Sequence, residues 1–184
     1  MFDVLTYVLV AAVAVIATVL FIASKRPDEF YAARSLKIAA PASRLHGLIN
    51  DVREMNRWNP YALRETSGSG HYSGPQSGPG ATYHFAGKGG TGAISVTDST
   101  EDTVGLRLKM TKPFAIENRV EFNLKPSSEG TEVTWGMRGS QSLPGKVFSL
   151  FINCEKMMAR DFDEGLANLK AIAEAGQLQR STQA

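Results

Sequence analysis

An uncharged segment near the N-terminus constrains this chain more than any other feature of its sequence. Val4 to Ala23 is a run of 20 residues without a charge. At about 1.5 Å per residue, a helix of that length spans roughly 30 Å, the thickness of the hydrocarbon core of a bilayer. A soluble domain of ordinary size rarely buries a helix that is apolar on every side. The segment therefore predicts one transmembrane helix, with residues 1–26 as an N-terminal anchor.

The charges beside this segment distinguish an anchor from a cleaved signal peptide. A signal peptide carries basic residues before its apolar stretch, whereas the one charged residue before this segment is the acidic Asp3. Lys25 and Arg26 follow the segment directly. The positive-inside rule then predicts a single-pass protein of the cell membrane whose C-terminal domain lies in the cytoplasm.

The rest of the chain has the composition of one globular domain. The 184 residues are 43% hydrophobic and 21% charged, which is typical of a folded protein. The net charge of +2 argues against a strongly basic nucleic-acid-binding protein. The single cysteine, Cys154, excludes an intramolecular disulfide framework and a cysteine-rich metal site. We predict one domain over residues 27–175 and a disordered polar tail over residues 176–184.

The spacing of hydrophobic residues changes along the domain in a definite order. Residues 34–40 alternate between apolar and polar side chains, as a strand does. Pro41 opens the first of two short amphipathic helices. From 64 to 139, alternating segments separated by Gly- and Pro-rich turns predict antiparallel strands with one buried face. Apolar residues at spacings of three and four from 144 to 174 predict a long amphipathic helix that covers this face.

Four short motifs accompany this order of elements. They are Ile38-Ala39-Ala40-Pro41, Trp58-Asn59-Pro60-Tyr61, Lys112-Pro113-Phe114 and Gly130-Thr131-Glu132-Val133-Thr134-Trp135. Together they resemble the START-like (SRPBCC) superfamily, which includes polyketide cyclase/dehydrase-like and lipid-transfer-like proteins. The resemblance covers residues 33–174. It implies an α+β helix-grip fold, in which a curved antiparallel sheet of about seven strands wraps around a long C-terminal helix.

The resemblance also implies a cavity between the sheet and that helix. Residues that face it are apolar, aromatic or rich in methionine, which suits a hydrophobic ligand such as a lipid or isoprenoid. The alternative is that these side chains fill the space as an ordinary core. Asn118 is the one polar residue on its strand face, so it either bonds to a neighbouring strand or anchors a ligand. The predicted lining residues are Tyr83, Phe85, Leu108, Met110, Asn118, Phe122, Trp135, Met137, Phe151, Met158 and Phe162.

The histidines do not form a recognisable catalytic or metal-binding pattern. His46, His71 and His84 lack the spacing of metal ligands, and no Ser–His–Asp or paired-carboxylate arrangement is visible. We expect His84 to point out of the sheet and His71 to lie in a loop. The carboxylate nearest to His46 in sequence is Asp51. The sequence thus predicts no metal and no cofactor, and it identifies no catalytic residue.

Two features of the last helix have ordinary structural explanations. Cys154 lies on its apolar stripe, which predicts a buried thiol. Asp161, Asp163 and Glu164 are predicted to form a solvated acidic patch, with Glu164 four residues after Arg160.

The sequence leaves three functions open. The favoured one is a membrane-anchored domain that binds or transfers a hydrophobic small molecule. The second is a polyketide cyclase/dehydrase-like enzyme, which needs an acid or base positioned in the cavity. The third is an anchored domain that binds another protein and has a filled core. The shape of the space between sheet and helix distinguishes them.

Overall fold

A seven-stranded antiparallel sheet organises the chain in the computed structural model, which describes residues 2–65, 67–151 and 153–181. The strands are β1 (Glu29–Ile38), β2 (Ser69–Ser73), β3 (Thr82–Gly87), β4 (Gly90–Ser99), β5 (Thr103–Lys112), β6 (Ile116–Ser127) and β7 (Gly130–Ser140). From β2 to β7 each strand pairs antiparallel with the next one along the chain, and β1 lies beside β7. The predicted sheet of about seven strands is therefore confirmed.

Glycine is required at two of the hairpin turns. Gly90 begins β4 with φ +134° and Gly130 begins β7 with φ +128°, a backbone region that other residues rarely adopt. A Cβ atom on Gly130 would also lie 2.2 Å from the carbonyl oxygen of Ile38. These positions explain why glycine-rich turns predict the hairpins so well.

The described chain contains six helices, two of which begin with a side-chain cap. The helices are α1 (Phe2–Ser24), α2 (Ala42–Asn50), α3 (Val52–Met55), α4 (Pro60–Arg64), α5 (Leu143–Phe151) and α6 (Cys154–Ser181). The Asp51 carboxylate caps α3 by accepting a hydrogen bond from the backbone N–H of Arg53, and Asn59 caps α4 by accepting one from the backbone N–H of Tyr61. Asn59-Pro60 begins α4, because Asn suits the cap and Pro the first turn.

The chain divides into two units, each of which is described on its own. The first contains residues 1–30 and 140–154, and the second contains residues 31–139 and 155–184. In the first unit, Asp3–Ser24 has a mean hydropathy of 2.7 and is long and apolar enough to cross a bilayer. Helices of this kind occur both in membrane anchors and in signal sequences.

The long helix predicted for the C-terminal region is two helices. It divides after Phe151, the last residue of α5, and begins again at Cys154, the first residue of α6. Cys154 is half-buried rather than enclosed in the core. The second helix extends past Gly176, where the sequence predicted a tail, and ends at Ser181.

In the second unit, α6 packs on one face of the sheet through an aromatic cluster. Trp135 of β7 stacks on Phe162 of α6 with ring centroids 4.5 Å apart. Trp58 meets both Trp135 and Phe122 edge-on at 5.8 Å, and its indole N–H donates to the carbonyl of Leu48 at 2.9 Å. All four rings are buried, so they form the centre of the core.

The prediction of a solvated acidic patch on α6 is wrong for Asp161. This carboxylate is buried and accepts a hydrogen bond from the Arg64 guanidinium of α4 at 2.7 Å. Glu164 pairs with the same guanidinium, so its partner is Arg64 rather than Arg160. A buried carboxylate requires a charged partner, which sequence spacing along α6 alone does not reveal.

Candidate ligand-binding site

The face of the sheet that α6 covers includes four rows of residues that lie opposite one another on neighbouring strands, beside the buried pair Leu124 and Val133. The strand pairing defines each row. Row one contains Ser99, Val104, Phe122 and Trp135; row two contains Val96, Leu106, Val120 and Met137; row three contains Tyr72, Tyr83, Ile94, Leu108, Asn118 and Gly139; row four contains Gly70, Phe85, Gly92, Met110 and Ile116.

Burial decreases across these rows. Every residue of rows one and two except the half-buried Ser99 is buried, and we call these rows the closed half. In rows three and four, Asn118 is the buried residue, whereas the others are half-buried or, at Gly70 and Ile116, exposed. We call rows three and four the open half. Part of the apolar sheet face is therefore ordinary core, and part remains accessible.

Aromatic side chains form one wall of the open half. The ring of Tyr83 lies 4.8 Å from that of Tyr72 and 6.3 Å from that of Phe85, measured between centroids. Glycine makes room for these rings, because a Cβ on Gly70 would meet the Tyr83 hydroxyl at 2.2 Å and one on Gly92 would meet Phe85 at 2.9 Å. The result is a continuous aromatic surface across β2 and β3.

Helix α3 fixes the outer edge of this aromatic wall. The Arg53 guanidinium lies 4.2 Å from the centre of the Tyr72 ring, a cation–π contact. The Asn56 side chain also donates to the Tyr72 hydroxyl at 3.1 Å. Tyr72 was not among the predicted lining residues, because β2 is short and its alternation weak. Its pairing with Tyr83 across the hairpin is the signal that identifies it.

Asn118 lies at the boundary between the two halves. Its amide Nδ2 donates to the sulfur of Met137 at 3.7 Å, a weak acceptor compared with oxygen. The expected bond to a neighbouring strand is therefore present, but its acceptor is a poor one. A buried amide held in this way can exchange that partner for a polar group on a ligand.

The open half is almost free of ionisable groups. In its described residues, the titratable side chains are the phenols of Tyr72 and Tyr83, with no carboxylate or imidazole. Burial raises the pKa of Tyr83, so its hydroxyl stays neutral near pH 7. A surface of this composition can contact an apolar molecule closely.

The three histidines lie outside the open half. His71 is on β2 rather than in a loop, and its ring stacks on His84 at 4.4 Å on the opposite face of the sheet. His46 interacts with the Ser99 hydroxyl at 2.9 Å, while Asp51 serves as a helix cap. In the described part of the chain, no group of three or more His, Cys, Asp or Glu residues is arranged to hold a metal.

The predicted lining residues fall into three groups. Tyr83, Phe85, Leu108 and Met110 lie in the open half with Asn118 at its boundary, and Met158 is half-buried on α6. Phe122, Trp135, Met137 and Phe162 are buried in or against the closed half. Phe151 is exposed on α5, in the other unit. Besides its glycines, the open half contains three residues not predicted to line it, namely Tyr72, Ile94 and Ile116.

A shallow depression lies at another edge of the second unit. It is lined by Ala39–Ala42 at the start of α2 and by Pro126–Thr131 at the β6–β7 turn. Alanine, proline, serine and backbone form most of its walls. It is therefore a poor match for a large hydrophobic ligand.

Comparison with known proteins supports the fold. Residues 31–174 match a protein-family model described as polyketide cyclase/dehydrase and lipid transport. A crystal structure of a protein from Chromobacterium violaceum is similar with a TM-score of 0.56 and 15% identity, covering 81% of this chain and 99% of that one. A protein from Mesorhizobium loti has a TM-score of 0.59 and 12% identity, over 79% and 98% of the two chains.

A third similar structure belongs to a larger protein. DynU16, from the dynemicin biosynthetic locus, has a TM-score of 0.57 and 19% identity, covering 82% of this chain and 49% of that one. No curated protein matches this sequence. At these identities the similarity establishes the helix-grip fold and no shared activity.

Proposed function

Because the chain belongs to the polyketide cyclase/dehydrase and lipid transport family, we propose that it binds a hydrophobic small molecule on the open half of its sheet. The observation that carries this proposal is the decrease in burial from row two to row three. A protein that needed only a core would bury all four rows. A ligand that covers this apolar surface gains about 25 cal/mol of binding free energy for each Å² removed from water.

The chemistry of the open half indicates the class of ligand. The Phe85 ring and the flexible side chain of Met110 lie in the same row on either side of Gly92, with Tyr83 in the next row, a combination that adapts to molecules of varied shape. Asn118 supplies one polar contact beside them. A lipid or isoprenoid-like molecule, mostly hydrocarbon with one polar group, fits this arrangement.

We also propose that α1 anchors the protein in the cell membrane. Its surface is apolar and exposed over most of Asp3–Ser24, with Ala23 buried near its end, and so large an apolar surface would be unfavourable in water. Lys25 and Arg26 follow it, so the C-terminal domain is expected in the cytoplasm. An anchor of this kind concentrates the binding domain beside the bilayer in which hydrophobic ligands dissolve.

A cyclase- or dehydrase-like reaction is the second candidate. The family includes such activities, and DynU16 comes from a biosynthetic locus. A reaction of this type needs a proton donor or acceptor, and in the described open half only the Tyr72 and Tyr83 hydroxyls have that chemistry. Turnover of a polyketide-type substrate that is lost on replacing either tyrosine with phenylalanine would favour this candidate.

Ligand binding is tested by what the full-length protein carries when purified. We expect native mass spectrometry, after release from detergent, to show a bound lipophile that organic extraction identifies. Leu108→Asp should lose it, because the substitution places a charge in the open half. Lys109→Asp is the matched control, since it puts the same residue on the same strand with its side chain on the exposed face. A protein without adduct, or the same adduct in Leu108→Asp, contradicts the proposed site and favours a domain that binds another protein.

Replacing Asn118 with leucine tests the polar contact. For a ligand with a polar group, we expect Asn118→Leu to weaken binding about threefold to tenfold, because one hydrogen bond contributes about 1 kcal/mol. Asn123→Leu is the control, because Asn123 lies on the same strand but is exposed on the other face. Titration with the extracted lipophile measures both. Equal affinities for the two variants would show that Asn118 is structural.

A further inference from the structure

Helix α5 has the reverse of the amphipathic arrangement expected in water. Its single charged residue, Lys146, is buried with only 5% of its surface exposed. Its exposed side carries Phe148 at 54% and Phe151 at 74% exposure, together with Leu143. A surface helix of a water-soluble protein turns its charged residues outward and its phenyl rings inward. The exposed face of α5 is therefore suited to an apolar environment.

The orientation of α5 is fixed by bonds to the segment that follows α1. The ammonium group of Lys146 pairs with the carboxylate of Asp28, and this contact lowers the pKa of Asp28. The backbone N–H of Gln141 also donates to the carbonyl of Asp28 at 2.7 Å. Turning Lys146 outward would break its ion pair, so the phenyl rings remain on the opposite side.

These contacts place α5 at the C-terminal end of α1. The two helices pack together within one unit, and Ala23, near the end of α1, is completely buried. Asp28 lies only a few residues after Lys25 and Arg26, the basic pair that marks the membrane boundary. The exposed faces of both helices are apolar and uncharged apart from Asp3 at the far end of α1.

We propose that α5 lies in the interfacial layer of the bilayer, with Phe148 and Phe151 inserted among the lipid acyl chains. This inference rests on the proposed membrane anchoring by α1. The lipid surface is favoured as the occupant because the exposed face of α5 is continuous with an apolar helix and carries no charge that would select an acidic or basic protein partner. The anchor then consists of a spanning helix and a second helix parallel to the surface.

The proposal is tested with spin labels on the full-length protein in vesicles of phosphatidylcholine and phosphatidylglycerol. Labels are attached separately at Phe151→Cys, at Ala12→Cys within α1 and at Phe114→Cys, each in a Cys154→Ser background. Phe114 is the matched control, because it is an equally exposed phenylalanine in the other unit. Collisions with oxygen report lipid, and collisions with a water-soluble nickel chelate report water.

We expect the ratio of oxygen to nickel collisions at position 151 to be severalfold higher than at position 114 and closer to that at position 12. If positions 151 and 114 give the same water-exposed ratio while position 12 lies in lipid, α5 does not enter the bilayer and the inference is overturned, although the anchor stands. If position 12 is also in water, the anchoring proposal itself fails. Shielding of position 151 from both reagents with spin–spin broadening identifies a second copy of this chain as the occupant, which also overturns the inference.

Discussion

Replacing Trp135 with alanine is expected to lower the free energy of unfolding by about 3–5 kcal/mol, because it removes a large side chain from a packed core. The indole is only 4% exposed. It stacks on Phe162 at 4.5 Å and lies 5.1 Å from Phe122 and 5.8 Å from Trp58. Urea unfolding of the full-length protein in detergent, followed by far-UV circular dichroism, measures the change.

A phenylalanine at the same position provides the control. The indole Nε1 of Trp135 is buried without a hydrogen-bond partner in the described part of the chain, so Trp135→Phe removes an unsatisfied donor and retains an aromatic ring. We expect this variant to lose about 1–2 kcal/mol, less than the alanine variant. A loss below about 1 kcal/mol for Trp135→Ala would contradict close packing. It would extend the ligand site into the closed half.

Replacing Gly165 with alanine should destabilise the protein by about 1–3 kcal/mol, although alanine is the better helix former. A Cβ atom at position 165 would lie 2.5 Å from Cζ3 of Trp135 and 3.0 Å from Cδ of Pro60. Both are ring atoms in a packed region, so neither can move aside easily. The gain in helix propensity of about 1 kcal/mol is smaller than the cost of this overpacking.

The same substitution at Gly47 is the matched control. Gly47 lies within α2, and no atom lies within 4 Å of a Cβ built there. Gly47→Ala should therefore stabilise the protein by up to about 1 kcal/mol. Opposite signs for the two variants in urea unfolding would support the contact between α6 and β7. Stabilisation by Gly165→Ala equal to that by Gly47→Ala would disprove it.

A double variant identifies the cause of the Gly165 effect. If the clash is with the indole, Gly165→Ala should cost much less in a Trp135→Ala background than in the unchanged protein. An undiminished cost would assign the strain to Pro60 of α4 instead.

Some properties of the site follow directly from strand periodicity. Side chains alternate between the two faces of a strand, so residues such as Leu108, Asn118 and Trp135 are predictable as facing inward. The turns between the antiparallel strands are also predictable from neighbouring residues, because Gly90 and Gly130 have positive φ angles that other residues rarely adopt. The fold class is therefore readable from the sequence.

The division of that face into a closed and an open half is a different kind of property. Trp135 and Leu108 have the same apolar alternation, yet the first is buried and the second half-buried. The difference depends on where α6 and the Trp58 region pack, and these segments are distant in sequence. Asp161 illustrates the same limit, since its partner Arg64 lies 97 residues away.

The role of Phe151 shows how a small local change alters an assignment. Spacing along one continuous helix places Phe151 on the apolar stripe with Met158. Because α5 ends at Phe151 and α6 begins at Cys154, that spacing does not carry across the break, and the side chain is exposed on another unit. A break in a helix occupies few residues, but the side chains on its two sides no longer follow one helical period, so their directions cannot be inferred from one another.

The sequence by itself determined the apolar N-terminal helix, the antiparallel strands and most of the strand residues that face α6, because each depends on the period of neighbouring residues. Only the tertiary structure decided which of those residues form core and which remain open, and that Lys146 is turned inward while Phe148 and Phe151 are turned outward. Those outcomes depend on contacts between residues far apart in the chain. Local periodicity specifies a face, but the packing of distant segments specifies what covers it.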